Sequence, residues 1–282
     1  MLAAAPPTLP PLPMGIVYKN PALVELIVEL QWELTPVSIP PGAGVDPFHD
    51  VLRSDLSQRL SAEGYTHVMD VVPANVPREF LAWKPVVRFS PSLDTWPKVQ
   101  LGPGMFSIHA VGTSSTPYGG WHTFEPAVTK AIDTFLLAFP TPDKLLRFKS
   151  LQLRYMNAFT AKHGYKSNAQ FTNTYLGLSS VLPKAFLKEF GISEESVSTN
   201  SRTSFSVARL ADSEVVLDFA DASINGAAGC VLQLGIERKS NFSSRREDIF
   251  AWLNDAHGLA RQTFNSLVRK ELQSIMQPEE RP

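Results

Sequence analysis

The chain has 282 residues, of which 44% are apolar and 19% are charged, with 26 basic and 27 acidic side chains. This composition is typical of a folded protein with a sizeable core, and a net charge of −1 excludes a global attraction to nucleic acid or anionic lipid. The one cysteine, Cys230, excludes an intrachain disulfide framework and a multi-cysteine zinc site, so we expect a reducing, cytoplasmic compartment.

Residues 1–15 are predicted to form a disordered, proline-rich leader. They lack a basic segment, and their prolines interrupt any apolar run, so they do not resemble a signal peptide. Met14 is a second possible start of translation. No stretch of the chain approaches the roughly 18 apolar residues of a membrane span, and we expect no membrane partner.

The first regular element is a strand over residues 22–34, which alternates between apolar and mostly polar side chains. The polar side holds Glu25, Ile27, Glu29, Gln31 and Glu33. Asp46 and Pro47 are typical of a helix start, and Gly64 is typical of its end. Strands are predicted near 66–72, 79–90 and 97–111, with a hairpin or bulge at residues 102–104, and a helix is predicted from Trp121 to Phe139.

A long central strand, Leu145 to Thr160, begins the second half of the chain. The polar tract from Ala161 to Thr174 is predicted to be a loop, and a short helix is predicted from Pro183 to Phe190. The remaining predicted elements are strands near 203–210, 213–221 and 228–239 and a helix over residues 245–276.

Both halves therefore show the order strand, helix, three strands, helix. An offset of 129 residues relates Glu25 to Arg154 and Trp121 to Phe250. We expect an α+β fold with antiparallel sheets and helices on one face, built from two related halves at 16–142 and 143–277, with a tail at 278–282.

The offset also makes Glu25 and Arg154 equivalent residues on the polar sides of the two first strands. If those sides pack together, the two side chains form an ion pair between the halves. Tyr155 and Asn157 flank the arginine, and we assign all four residues to a binding or inter-half contact.

Three short motifs resemble those of a sporadically distributed family of bacterial and archaeal proteins for which no activity is established. They are Tyr18-x-x-Pro21-x-x-Val24-Glu25, Leu153-Arg154-Tyr155-x-Asn157 and Gly120-Trp121. The resemblance covers Val17 to about Ile275. Genes of such patchy distribution are often linked to mobile elements or defence, including toxin–antitoxin and anti-phage loci, and this is what the resemblance implies for the chain.

One arrangement of carboxylates resembles a metal-dependent nuclease core. Asp218 and Asp221 end one predicted strand, and Glu237 and Lys239 share a face at the end of the next. The basic residues Arg238, Lys239, Arg245 and Arg246 provide a local positive patch. The six histidines show no metal-ligand spacing, and we predict no metal and no cofactor.

Three functions follow from these patterns. The first is a non-enzymatic recognition or adaptor protein whose free sheet edges bind another protein or peptide. The second is a nucleic-acid-acting enzyme that uses the Asp and Glu-x-Lys residues. The third is a sensor of a small anion held by Arg154 in a cleft between the halves.

Overall fold

The computed structural model describes residues 16–36, 44–73, 75–111, 120–178, 182–193, 196–239 and 242–280. Helices and antiparallel strands are mixed along the chain, which confirms the α+β class. The predicted leader, residues 1–15, lies outside the described residues. No helix in the described part of the chain is long and apolar enough to cross a membrane.

The strands are β1 (Ile16–Tyr18), β2 (Leu23–Trp32), β3 (Thr35–Pro36), β4 (Gly44–Val45), β5 (His67–Asp70), β6 (Val87–Ser90), β7 (Lys98–Gly102), β8 (Met105–Val111), β9 (Phe148–Thr160), β10 (Ser201–Ser206), β11 (Ser213–Ile224), β12 (Ala227–Lys239) and β13 (Pro278–Glu280). The helices are α1 (His49–Ala62), α2 (Trp121–Ala138), α3 (Pro142–Leu145), α4 (Asn168–Phe171), α5 (Lys184–Glu189), α6 (Arg246–Leu267) and α7 (Lys270–Met276).

The chain divides into two compact units that are interleaved in sequence. Unit 1 comprises Met1–Val24, Arg154–Ile236 and Ala256–Pro282, and unit 2 comprises Glu25–Leu153 and Glu237–Asp255. The predicted halves were consecutive segments, so these units have a different composition from those halves. The internal duplication stays a prediction.

Unit 2 is built on an antiparallel run of strands in the order β2, β8, β7, β6, β5. The apolar side of β2 is buried from Leu26 to Trp32, but Val24 on that side is exposed and Glu29 on the polar side is buried, so the predicted alternation is only partly confirmed. Trp32 packs on Phe135 of α2 at a ring distance of 5.4 Å. Phe106 of β8 stacks on the same ring at 4.7 Å. Helix α2 therefore covers the apolar face of this sheet.

The helix start predicted at Asp46 and Pro47 lies two residues too early, because α1 begins at His49 and Phe48 is its N-cap residue. The Asp46 carboxylate accepts hydrogen bonds from the backbone N–H groups of Phe48, at 2.9 Å, and Gly104, at 3.0 Å. It also accepts one from the indole of Trp32 at 3.2 Å. One carboxylate thus connects the first turn of the helix to β2 and to the β7–β8 hairpin.

Unit 1 has the strand order β10, β11, β12, β9 and a second pair formed by β1 and β13. Its core contains the side chains of Phe159, Phe171, Leu176, Phe219, Cys230, Leu232, Leu272 and Met276. The predicted tail contributes to this unit, because Pro278–Glu280 pairs with the strand at Ile16–Tyr18.

The prediction of a loop over 161–174 was wrong. The segment forms a 3-10 turn at Ala161–His163, then α4, then a π turn at Thr172–Leu176. His163 and Phe171 are fully buried there. The scattered apolar side chains of the tract provide the contacts that order it, although their spacing follows no single helical or strand period.

Other boundaries also differ from the prediction. The strand predicted near 203–210 ends at Ser206, and the central strand predicted from Leu145 begins at Phe148. Residues Arg78–Leu81 form a 3-10 turn, so the strand predicted over 79–90 is confined to β6. The last predicted helix is divided into α6 and α7, because the Arg269 N–H donates to the carbonyl of Tyr175 at 2.8 Å rather than continuing the helix.

Candidate functional site

Strand β10 is an exposed strand at the end of its sheet. All six of its residues are exposed. It pairs with β11 along its whole length, from Ser201 opposite Phe219 to Ser206 opposite Glu214. It is the first strand in the order of its sheet, so within the described residues its other edge has no strand neighbour. The backbone groups on that edge are available to another strand.

The two faces of β10 differ in chemistry. Ser201, Thr203 and Phe205 lie opposite Phe219, Leu217 and Val215, which are buried residues of unit 1. Phe205 is 42% exposed, so the apolar face of the sheet extends to this strand without being fully covered. The other face carries Arg202, Ser204 and Ser206.

The single charge on β10 is neutralised within the unit. Arg202 Nη1 contacts both carboxylate oxygens of Asp218, at 2.9 and 3.2 Å, and Gln233 Nε2 donates to the same carboxylate at 3.2 Å. Natural edge strands are usually protected by charged side chains, prolines, bulges or short length. Strand β10 has six consecutive paired residues and no proline, and its one charged side chain, Arg202, is held by Asp218.

Strand β5 ends the strand order of unit 2 and offers a comparison. It has four residues, and its last, Asp70, forms an ion pair with Arg53 at 2.7 Å. Val68 is 45% exposed at its centre. This edge is protected by its short length, and the two edges therefore differ in their capacity to accept a strand.

A polar cluster fixes the entry to β10. The Asn168 amide donates to the Thr199 carbonyl at 3.0 Å and to Asp221 Oδ1 at 2.8 Å, and the Thr199 hydroxyl donates to Asn168 Oδ1 at 2.7 Å. Tyr165 donates its hydroxyl to the same Asp221 oxygen at 2.8 Å. We call Tyr165, Asn168, Thr199 and Asp221 the entry clamp. It holds the backbone two residues before the edge strand begins.

Burial and the neighbouring carboxylate keep the Tyr165 hydroxyl and the Cys230 thiol protonated near neutral pH. Burial, then the Asp221 carboxylate, raises the pKa of the Tyr165 hydroxyl well above its ordinary value. Cys230 is fully buried in the same unit, and burial raises the pKa of its thiol in the same direction. Neither group supplies a nucleophile near neutral pH.

The structure separates the roles of Asp218 and Asp221. The two residues are three positions apart on β11, and side chains alternate along a strand, so their carboxylates lie on opposite faces. Asp218 neutralises Arg202, and Asp221 belongs to the entry clamp. One metal ion cannot bind both carboxylates in this arrangement, and the nuclease interpretation gains no support from β11.

Glu237 and Lys239 lie in unit 2 and contact each other at 3.5 Å. Glu237 also accepts a hydrogen bond from Gln152 Nε2 at 3.1 Å. Within the described residues, no group of three or more His, Cys, Asp or Glu side chains is arranged to bind a metal ion.

Glu25 lies in a hydrogen-bonded series that sequence reasoning missed. Its Oε1 is 2.8 Å from Nδ1 of His109, and Nε2 of that ring is 2.9 Å from the Ser107 hydroxyl. Ser-x-His places both side chains on one face of β8, and this spacing was the available signal. It did not reveal Glu25, because the diagonal contact depends on the register in which Ile27 opposes His109.

This series has the connectivity of a catalytic triad but the opposite order of exposure. Ser107 is fully buried, whereas the side chains of His109 and Glu25 are 11% and 30% exposed. A nucleophilic serine must contact substrate, while the carboxylate behind the histidine is the buried member. We therefore interpret the series as a structural hydrogen-bond network that joins β2 to β8.

The remaining predicted site residues lie in unit 1. The Tyr155 hydroxyl is 2.6 Å from Nδ1 of His257, and the Asn157 amide donates to the Leu232 carbonyl at 3.3 Å. Arg154 lies beside Gly235 of β12. Glu25 and Arg154 belong to different units, and their pairing stays a prediction.

Comparison of the chain with protein-family models, with curated proteins and with solved structures found no match. The resemblance carried by the three short motifs therefore stays an expectation.

Proposed function

We propose that the protein is a recognition or adaptor protein that binds another protein by accepting an extended segment of it alongside β10. The observation that carries this proposal is a six-residue edge strand whose residues are all exposed, which contains no proline and whose one charge is paired with Asp218. Strand addition uses main-chain hydrogen bonds for affinity and alternate side chains for specificity.

The faces of β10 define the partner segment. On the face of Thr203 and Phe205, an apolar side chain of the partner covers the exposed ring and extends the core face of β11. On the face of Arg202 and Ser204, small or polar side chains suit the hydroxyls and the neutralised arginine. The partner segment therefore alternates between apolar and small polar residues.

A second exposed surface of unit 1 supports protein recognition. Leu182, Phe186 and Phe190 are spaced four residues apart at α5, and each is more than a third exposed. The rings of Phe186 and Phe190 contact at 4.8 Å. Grouped apolar side chains on a surface are typical of protein interfaces, which also concentrate aromatic residues.

We place this recognition in a reducing cytoplasm, and the resemblance suggests a defence or toxin–antitoxin partner.

The test is selection from a displayed library of random linear peptides against the purified full chain. Enriched peptides are expected to show a two-residue apolar alternation. Phe205→Lys should abolish their binding because it removes the apolar contact, whereas Val68→Lys, an equally exposed apolar position on β5, should leave binding unchanged.

Prolines give a second, backbone-level test. Successive N–H groups of an edge strand face alternate sides, so of Thr203→Pro and Ser204→Pro only one removes a bond to β11. The variant that keeps the stability of the wild type blocks the free edge and should lose peptide binding. Enriched peptides that show no two-residue alternation of apolar side chains would contradict the proposal. Peptide binding that is unchanged in both Phe205→Lys and the stable proline variant would also contradict it.

A further inference from the structure

We propose that β10 of a second copy of this chain occupies the same edge when no partner is bound, in a two-fold antiparallel pair centred on Ser204. The existence of this dimer depends only on the exposed edge of β10. We infer that the dimer masks this edge until a partner displaces the second copy, and this role rests on the proposed function.

Symmetry restricts the possible registers. A two-fold axis between antiparallel strands of one continuous sheet runs perpendicular to that sheet, so each face of one copy continues as the same face of the other. Directly opposite residues must then share a face, and residues on one strand share a face only at even separations. The axis must therefore pass between two copies of one residue rather than between two successive residues.

Overlap and side-chain chemistry together select the residue. An axis at Thr203 or Ser204 pairs five residues of β10 with the second copy, whereas an axis at any other residue of the strand pairs three or fewer. An axis at Arg202 places two guanidinium groups opposite each other, which is repulsive. An axis at Thr203 places Phe205 opposite Ser201 of the second copy. An axis at Ser204 places Phe205 opposite Thr203 of the second copy, twice by symmetry, and aromatic rings pair well with β-branched side chains across strands.

The charges agree with the register at Ser204. It places Arg202 of the second copy opposite Ser206, and Ser206 pairs with Glu214 on β11. The guanidinium of one copy and the carboxylate of the other then lie in one row, two strand spacings apart, or about 10 Å between backbones. In this register no two like charges lie directly opposite each other.

The test uses cysteines on β10 in the full chain, whose own Cys230 is fully buried. Directly opposite residues of an antiparallel pair have Cα atoms about 4.5–5.5 Å apart, within the range of a disulfide. Under mild oxidation Ser204→Cys should convert most of the protein to a disulfide-linked dimer that reductant reverses. Ser206→Cys, on the same face, should remain monomeric on a denaturing gel because it lies opposite residue 202.

Sedimentation of the wild type should show a mass that doubles as concentration rises, and Phe205→Lys should lose this association. A monomer at every concentration, or cross-linking that is faster at Thr203→Cys than at Ser204→Cys, would overturn the proposed pair. If library peptides bind the protein but the protein never dimerises, the proposed function is supported and the proposed dimer is wrong. A dimer that no peptide dissociates or binds removes the recognition function instead.

Discussion

The hydroxyl of Tyr165 donates a 2.8 Å hydrogen bond to Oδ1 of Asp221, and this bond ties the segment after β9 to β11. Asn168 donates to the same oxygen and to the carbonyl of Thr199. The entry to β10 therefore depends on side chains from a segment whose sequence looks like a loop.

We expect Asn168→Ala to lower the free energy of unfolding by about 2–4 kcal/mol, because it removes three part-buried hydrogen bonds, one of them to a carboxylate. Tyr165→Phe removes one bond and should cost about 1 kcal/mol. Denaturant unfolding measures both values. Hydrogen exchange should also quicken at residues 201–206 in Asn168→Ala while β7 and β8 of unit 2 stay protected. Equal costs for the two variants would contradict the clamp.

The backbone of Lys84 approaches the β7–β8 hairpin so closely that a side chain at position 102 would clash with it. A Cβ atom at Gly102 would overlap the carbonyl oxygen of Lys84, which is backbone and cannot rotate away. We expect Gly102→Ala to destabilise the protein by at least about 2 kcal/mol in denaturant unfolding, a cost typical of overpacking.

Gly235→Ala is the matched control for this prediction. It is also a strand glycine, but its Cβ would lie 3.6 Å from Cγ of Arg154, an ordinary contact distance. The alanine should be tolerated within about 1 kcal/mol. Comparable destabilisation by both alanines would show that strand glycines, rather than the contact with Lys84, set the cost.

The sequence was most informative where one period continued over many residues. Strand β2 was recognisable because its apolar side packs on α2 while its polar side carries glutamates, and Gly102 and Gly104 indicated the hairpin. The segment 161–176 was not recognisable, because a 3-10 turn, an α turn and a π turn follow one another with three different repeats.

The candidate site was predictable only in part for a similar reason. A strand near β10 was expected, but its position at the end of a sheet depends on which strands pair over long range. The contact of Glu25 with His109 depends likewise on the register of β2 against β8. A sequence read strand by strand contains neither relationship.

Cys230 should be inert in the folded protein. Burial, with the Asp221 carboxylate nearby, raises the pKa of its thiol, and the side chain has no exposed surface. We expect no reaction with Ellman's reagent under native conditions and one reacting thiol per chain in guanidinium chloride. Rapid native labelling would show that the β12 region opens readily, and the matched measurement in Asn168→Ala shows whether the entry clamp limits that opening.

His163 should make the protein sensitive to mild acid. Its Nδ1 accepts the Thr160 N–H at 3.2 Å, so protonation at that nitrogen breaks the bond. Burial, with Lys162 nearby, lowers the pKa of His163 to about 4, and burial, with Arg261 nearby, lowers that of His257 to about 4. The folded state therefore resists a proton that the unfolded chain accepts near its ordinary value of 6.5.

The stability contributed by a neutral His163 is complete above about pH 6.5 and is lost as the pH falls towards 4, because the unfolded chain binds the extra proton in that window. The expected slope is about 1.4 kcal/mol per pH unit for each buried histidine. In His163→Asn, whose Oδ1 can accept the same N–H, the slope between pH 6.5 and 4 should fall by about that amount. Denaturant unfolding at a series of pH values measures it, and an unchanged slope would mean that folding does not lower the pKa of His163.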